Sequence, residues 1–139
     1  MRDILFRAKR LDAGGAWAEG YFVSSGNGTN EIIPKDSYWD FYEGFYPEYE
    51  VDPDTLGQYT GLNDMNGRKI FEGDIIEDRT KYKTNDEDTY RRYEVRYSTE
   101  WARFFAVLPN GVYNLAAFQN CEVIGNIYDT PDLLGGETE

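Results

Sequence analysis

Residues 56–79 constrain the fold more than any other stretch. They read as strand, turn, strand, turn, strand. Gln58 to Thr60 is a short aromatic strand, and Asn63 to Gly67 is a polar turn closing on Asn66-Gly67. Asn-Gly is a strong hairpin signal because both residues tolerate φ > 0. Arg68 to Phe71 forms the next strand, Glu72-Gly73-Asp74 turns the chain again, and Ile75-Ile76 enters a buried strand. The stretch predicts an antiparallel meander in the middle of the chain.

The flanks carry the same period. Ile4, Phe6 and Ala8 alternate with Arg7 and Lys9, which predicts a half-buried first strand with Ile4, Phe6 and Ala8 on one face. Asp12 to Gly15 turns it, and Trp17 to Val23 returns. A loop at 24–30 and a short strand at Glu31 to Pro34 follow. Thr80 to Thr89 reads as an exposed, mobile hairpin loop. Arg91 to Ser98 alternates, with Tyr93, Val95 and Tyr97 inward and Arg92, Glu94 and Arg96 outward. Arg103 to Leu108 is a more fully apolar strand, Pro109 to Gly111 a turn, and Val112 to Leu115 the return. Ala116 to Asn120 fits a 3₁₀ or helical turn. Glu122 to Tyr128 is the last strand, with Gly125 marking a bulge or a close backbone approach. Pro131 opens a short helix.

Many short strands and no long helical period imply a mainly β chain, an antiparallel barrel or curled sheet. The expected fold is an antiparallel SH3-like barrel with an additional N-terminal β unit and little helix. Its divisions are residues 1–54 for N-terminal strands and an aromatic-acidic segment, 55–134 for the barrel, and 135–139 for a disordered tail. A chain of 139 residues supports one domain, or one domain with a small appendage.

Charge narrows the function. The formal net charge is −12, and residues 31–60 hold eight acidic side chains against Lys35 alone. Such a surface repels phosphates, so nucleic acid is not expected as a partner. It serves solubility, or else forms a docking face for a basic protein, even as a mimic of nucleic acid. The chain has no histidine and one cysteine, Cys121. That excludes Ser-His-Asp and Cys-His catalysis, histidine metal sites and an internal disulfide. Cys121 reads as a packed small hydrophobe. No membrane span or signal segment is visible, and a reducing cytoplasm is the expected setting.

Residues 38–49 hold seven aromatics in twelve positions. Asp36 or Ser37 caps a short helix there, stopped by Gly44 and Pro47, or the segment is an irregular loop. Trp39, Phe41, Tyr42, Phe45 and Tyr46 interleave with Asp40, Glu43 and Glu48. Either half the rings cover the barrel, or they form an exposed aromatic–acidic interface for self-association or for a basic protein. These eight residues are the candidate interaction site.

Two chemical constellations fail on inspection. A calcium loop with Asn66 and Gly67 at positions five and six puts Leu62 at position one and Gly73 at position twelve, both wrong ligands. Glu72 and Asp74 as paired acid–base carboxylates lack any sign of a cleft between them. Asp74 more simply satisfies turn amides. The expectation is therefore no catalytic residue, no cofactor and no metal. Three classes stay open: an accessory protein acting by protein contact, a structural homo-oligomer, and, last, a carboxylate enzyme.

Several blocks resemble YopX-type phage and prophage proteins. They are the opening Arg2 to Ala8, the Gly20-Tyr21 return, Thr55 to Leu62, Asn66 to Ile76, and Val123 to Leu134. Residues 35–50 and 83–90 depart from the pattern. The resemblance implies an SH3-like barrel, a bacterial cytoplasm, phage or prophage origin and self-association. It brings no established activity and no catalytic residues.

Overall fold

A computed structural model gives the fold and describes residues 3–42, 44–80, 91–109 and 111–135. Glu43, most of the expected loop at 80–89, and the tail beyond 135 lie outside the described residues. Contacts divide the chain into two compact units, Met1–Tyr59 and Thr60–Glu139.

In the first unit the strands are β1 (Phe6–Lys9), β2 (Trp17–Ser24), β3 (Asn30–Ile33), β4 (Tyr38–Asp40), β5 (Gly44–Tyr46) and β6 (Tyr49–Glu50). A 3₁₀ turn at Pro53–Thr55 leads into β7 (Gly57–Asn63), which ends in the second unit. The first sheet runs β6-β3-β2-β1-β7 with antiparallel pairs. Its core is Ala8, Ala18, Ile32 and Val51, edged by Phe6, Phe22, Tyr49 and Leu56. Thr55 ties the 3₁₀ turn to β1: its Oγ1 accepts the Lys9 N–H at 2.8 Å and donates to the Asp52 carbonyl at 2.7 Å.

Two expectations shift here. Ile4 precedes β1 and is exposed, while Leu5 takes the buried place. Arg7 is also buried, with its guanidinium 4.8 Å from the Trp17 ring centroid. Residues 38–46 are neither a helix nor an irregular loop but the antiparallel pair β4–β5. Aromatic side chains favour extended backbone, and Gly44 at φ 84° supplies the left-handed turn residue.

In the second unit β8 (Lys69–Phe71) lies beside the end of β7. A separate sheet holds β9 (Asp74–Asp78), β10 (Arg92–Ser98), β11 (Arg103–Leu108), β12 (Gly111–Asn114) and β13 (Cys121–Asn126), in the order β12-β11-β10-β9-β13. The expected meander therefore breaks at Glu72-Gly73, because β8 and β9 belong to different sheets. The fold is mainly β and antiparallel. No ladder joins β12 to β13 among the described residues. A 3₁₀ turn at Leu115–Ala117 and the four-residue helix α1 (Asp132–Gly135) complete the unit. No described helix is long and apolar enough to cross a membrane. The core is Ile70, Ile76, Tyr93, Val95, Ala106, Leu115, Cys121 and Val123. Gly125 marks the expected bulge, and side chains rather than another backbone crowd it. The β13 register shifts between Val123 and Gly125, and a Cβ there would meet Leu133 Cδ1 at 2.8 Å.

Asp64 is the polar centre of this unit. Its carboxylate accepts the N–H groups of Asn66 and Arg68 at 2.9 Å each, and that of Val123 at 3.0 Å. It thereby closes the β7–β8 turn and fastens it to β13. Burial alone would raise its pKa; three backbone donors and the Arg68 charge outweigh that and hold it below the ordinary carboxylate range. Asp74 is buried too, and its Oδ2 accepts the Phe71 N–H at 2.7 Å, a turn amide as expected. Cys121 is fully buried, and burial, with Asp64 and Asp78 nearby, pushes its thiol up to about 11. A thiol held protonated in this way is a packing group.

Candidate functional site

In β4–β5, Tyr38 faces Tyr46, Trp39 faces Phe45, and Asp40 faces Gly44. Opposed side chains share a face, so the rings stack in cross-strand pairs. Trp39 and Phe45 meet edge to face at 5.1 Å, and Tyr38 and Tyr46 meet at 5.9 Å. At the tip Phe41 and Tyr42 meet edge to face at 5.3 Å. Asp40 Oδ1 accepts the Tyr42 N–H at 2.8 Å and stiffens the turn. At the base Ser37 Oγ donates to the Pro47 carbonyl at 2.6 Å.

The hairpin is ordered by its own rings, yet it buries none of them. Phe41 is 85% exposed, Tyr42 90% and Trp39 64%. Each cross-strand aromatic pair supplies up to about 1 kcal/mol, enough to bias a short connection toward a hairpin but far less than burying the rings would. The rings of this hairpin therefore do not cover a core. Of the eight expected site residues, the structure gathers Trp39, Asp40, Phe41, Tyr42, Phe45 and Tyr46 on one hairpin. Glu48 is exposed beyond its base. Glu43 lies outside the described residues.

Acidic charge is crowded beside this hairpin. Glu31 stands opposite Glu50 across the β3–β6 ladder. Burial, then Glu48 and Glu50, raise the Glu31 pKa above its ordinary value. Like charges directly opposed on a sheet repel, so this edge is stabilised by any cation that approaches it.

A second surface was not foreseen. On the second sheet Arg96 faces Phe105, Ser98 faces Arg103, and Val107 faces Val112. These side chains share the face opposite the buried Val95 and Ala106. With Tyr97 and Trp101 they line a cavity of about 590 Å³. Arg96 donates to Glu94 at 3.0 Å through one nitrogen. Arg103 lies 6.0 Å from the Phe105 ring centroid and has no carboxylate partner among the described residues. Tyr97, expected inward, is 41% exposed near the end of β10 and meets Phe104 edge to face at 4.9 Å. The sequence signal for this pocket was Trp101, a large ring in a polar turn between two outward arginines.

The family model described as YopX protein matches residues 5–135. The chain belongs to the YopX family. The crystal structure of protein EF1440 from Enterococcus faecalis is similar over 96% of this chain and 99% of that one, with 25% identity and a TM-score of 0.65. No curated protein matches.

Among the described residues of this YopX-family chain, no three Asp, Glu, Cys or His side chains converge as a metal site. Its buried carboxylates Asp64 and Asp74 are turned onto backbone amides.

Proposed function

We propose that this YopX-family protein is a phage- or prophage-encoded accessory protein of the bacterial cytoplasm, non-enzymatic, which acts by protein–protein contact through the acidic aromatic hairpin. The carrying observation is an ordered hairpin whose rings all remain exposed. Exposed clusters of aromatic rings mark contact surfaces, and aromatic anchors supply most of the affinity at interfaces. The glutamates beside it supply steering and partner choice toward a basic surface. The partner is a basic host or phage protein, or a second copy of the chain. Nucleic acid and membrane are not partners in this reading. The second unit, with its five-stranded antiparallel sheet and bulged β13, is read as an SH3-like barrel.

The test is light scattering of the pure protein beside a pull-down from host lysate, each with wild type and Trp39→Ala/Phe41→Ala. The expected wild type shows a mass above 16.1 kDa, or captures a partner in a salt-sensitive way, and the variant loses it. Exposed charges are screened over about 8–10 Å near physiological salt, which sets the salt range. A monomer that captures nothing, a variant that behaves as wild type, or tight binding to DNA at low salt overturns the reading.

A further inference from the structure

We propose that the aromatic hairpin of one copy docks into the Arg96–Arg103 pocket of a second copy. This rests on the reading of the hairpin as a contact surface and names what it contacts. The two surfaces are complementary in charge and in kind. The hairpin carries Asp40 among its rings, with Glu48 beyond its base and Glu31 and Glu50 on the β3–β6 ladder. The pocket carries two arginines in a chain with 14 basic and 26 acidic side chains. Arg103 has donors with no carboxylate to receive them among the described residues, and Arg96 commits one nitrogen to Glu94.

The apolar parts match as well. Phe41 and Tyr42, the most exposed large rings among the described residues, sit at the hairpin tip. The pocket offers Trp101, Phe105, Val107 and Val112 around about 590 Å³, a size within the range of pockets that enclose a small organic ligand. Aromatic rings and arginine are the residues enriched at interface centres. Nucleic acid is a poorer occupant, because the surrounding net charge of −12 opposes a polyanion.

The contact is heterologous, since the hairpin and the pocket are different surfaces. Such a contact propagates into a ring when the rotation closes and into an open chain when it does not. It also has a signature that a symmetric hairpin–hairpin contact lacks: two defective chains complement one another.

The experiment uses two full-length variants. Trp39→Ala/Phe41→Ala lacks the hairpin anchors and keeps the pocket. Arg96→Glu/Arg103→Glu lacks the pocket charge and keeps the hairpin. Val112→Asp, at a 60% exposed side chain, impairs the pocket independently. Melting curves verify that each is folded. Each variant alone is expected to self-associate at least about tenfold more weakly than wild type, the scale of an interface hot spot. An equimolar mixture of the two double variants is expected to give a one-to-one dimer and nothing larger. Trp39 and Trp101, both exposed in the single chain, report docking by a concentration-dependent fluorescence blue shift in wild type. Pocket variants that associate like wild type, or a mixture that stays monomeric, overturn the docking while leaving the hairpin as a contact surface. A hairpin variant that associates like wild type overturns both readings. A wild type that is monomeric but captures a lysate partner through its hairpin overturns only the docking.

Discussion

Two hairpins in this chain turn on glycines of nearly the same geometry, Gly44 at φ 84° and Gly67 at φ 83°. They share little else. β4–β5 is built from aromatic residues and stands open, with no buried residue in either strand. The turn between β7 and β8 is built from Asn63, Asp64, Asn66 and Gly67, and it contains one of the least exposed carboxylates in the molecule. Composition alone predicts the reverse. Burial is decided by where backbone donors converge. Asp64 receives an N–H from Val123, 59 residues along the chain, whereas Asp40 accepts an N–H two residues away.

The sharpest way to break this comparison is to remove the two carboxylates. Asp64→Ala is expected to cost about 3 kcal/mol, because it strips a charged acceptor from three amides and leaves the Val123 N–H buried. Asp40→Ala should cost under about 1 kcal/mol, since its amide partner can turn to water. Denaturant unfolding of both variants measures the difference, and equal losses would sink the distinction. Acid provides a second view. The Asp64 pKa is lowered on folding, so its contribution is present above the ordinary carboxylate range and is lost as pH falls through the folded value. The deficit of Asp64→Ala should therefore shrink on acidification.

The glycines sharpen the same contrast. A Cβ on Gly67 or on Gly44 meets nothing within 4 Å. The cost of either substitution is backbone strain alone. Gly67→Val should destabilise the protein by about 1–3 kcal/mol, because the strained turn is tied to β13. Gly44→Val should strain its turn as much but lower global stability by under about 0.5 kcal/mol, because that hairpin can open by itself. An unchanged melting temperature for Gly67→Val would refute the need for φ > 0 at that turn.

The contrast also explains what could be read in the sequence. The turns at Asn66-Gly67 and Glu72 to Asp74, the period of Tyr93 and Val95, and the bulge at Gly125 are local patterns, and a local pattern is written in adjacent residues. The departure of β9 from β8 is not local. It depends on β13 pairing with β9, which no neighbouring residue announces. Residues 38–46 were misread because Ser37, Gly44 and Pro47 suit a helix cap and stop as well as a hairpin. The cross-strand rings that decide the matter have no sequence period over three-residue strands. The candidate rings themselves were legible as a cluster, and their exposure was not. The pocket was missed because Arg96 and Arg103 lie on separate strands and look like ordinary outward charges until the register sets Ser98 opposite Arg103.

The smallest expected effect concerns the glutamates beside the open hairpin, and its sign is opposite to that of Asp64. Burial first, then Glu48 and Glu50, raise the Glu31 pKa on folding. A carboxyl raised in this way favours the folded state when protonated. Its stabilising effect is complete below the unfolded pKa and is lost as pH rises through the folded one. At neutral pH the ionised Glu31 therefore weakens the β3–β6 ladder, where Glu50 stands directly opposite. Glu31→Gln keeps the shape and removes the charge, and it should gain about 0.5 kcal/mol at pH 7. The gain should vanish on acidification below the ordinary carboxylate range, where wild-type Glu31 is protonated. Paired melting curves at the two pH values decide it, and a gain that does not change with pH would show that packing, not charge, is responsible. A basic partner at the hairpin would relieve the same repulsion. Its binding should therefore lower the Glu31 pKa and release protons in mildly acidic buffer, whereas contact through the rings alone should release none.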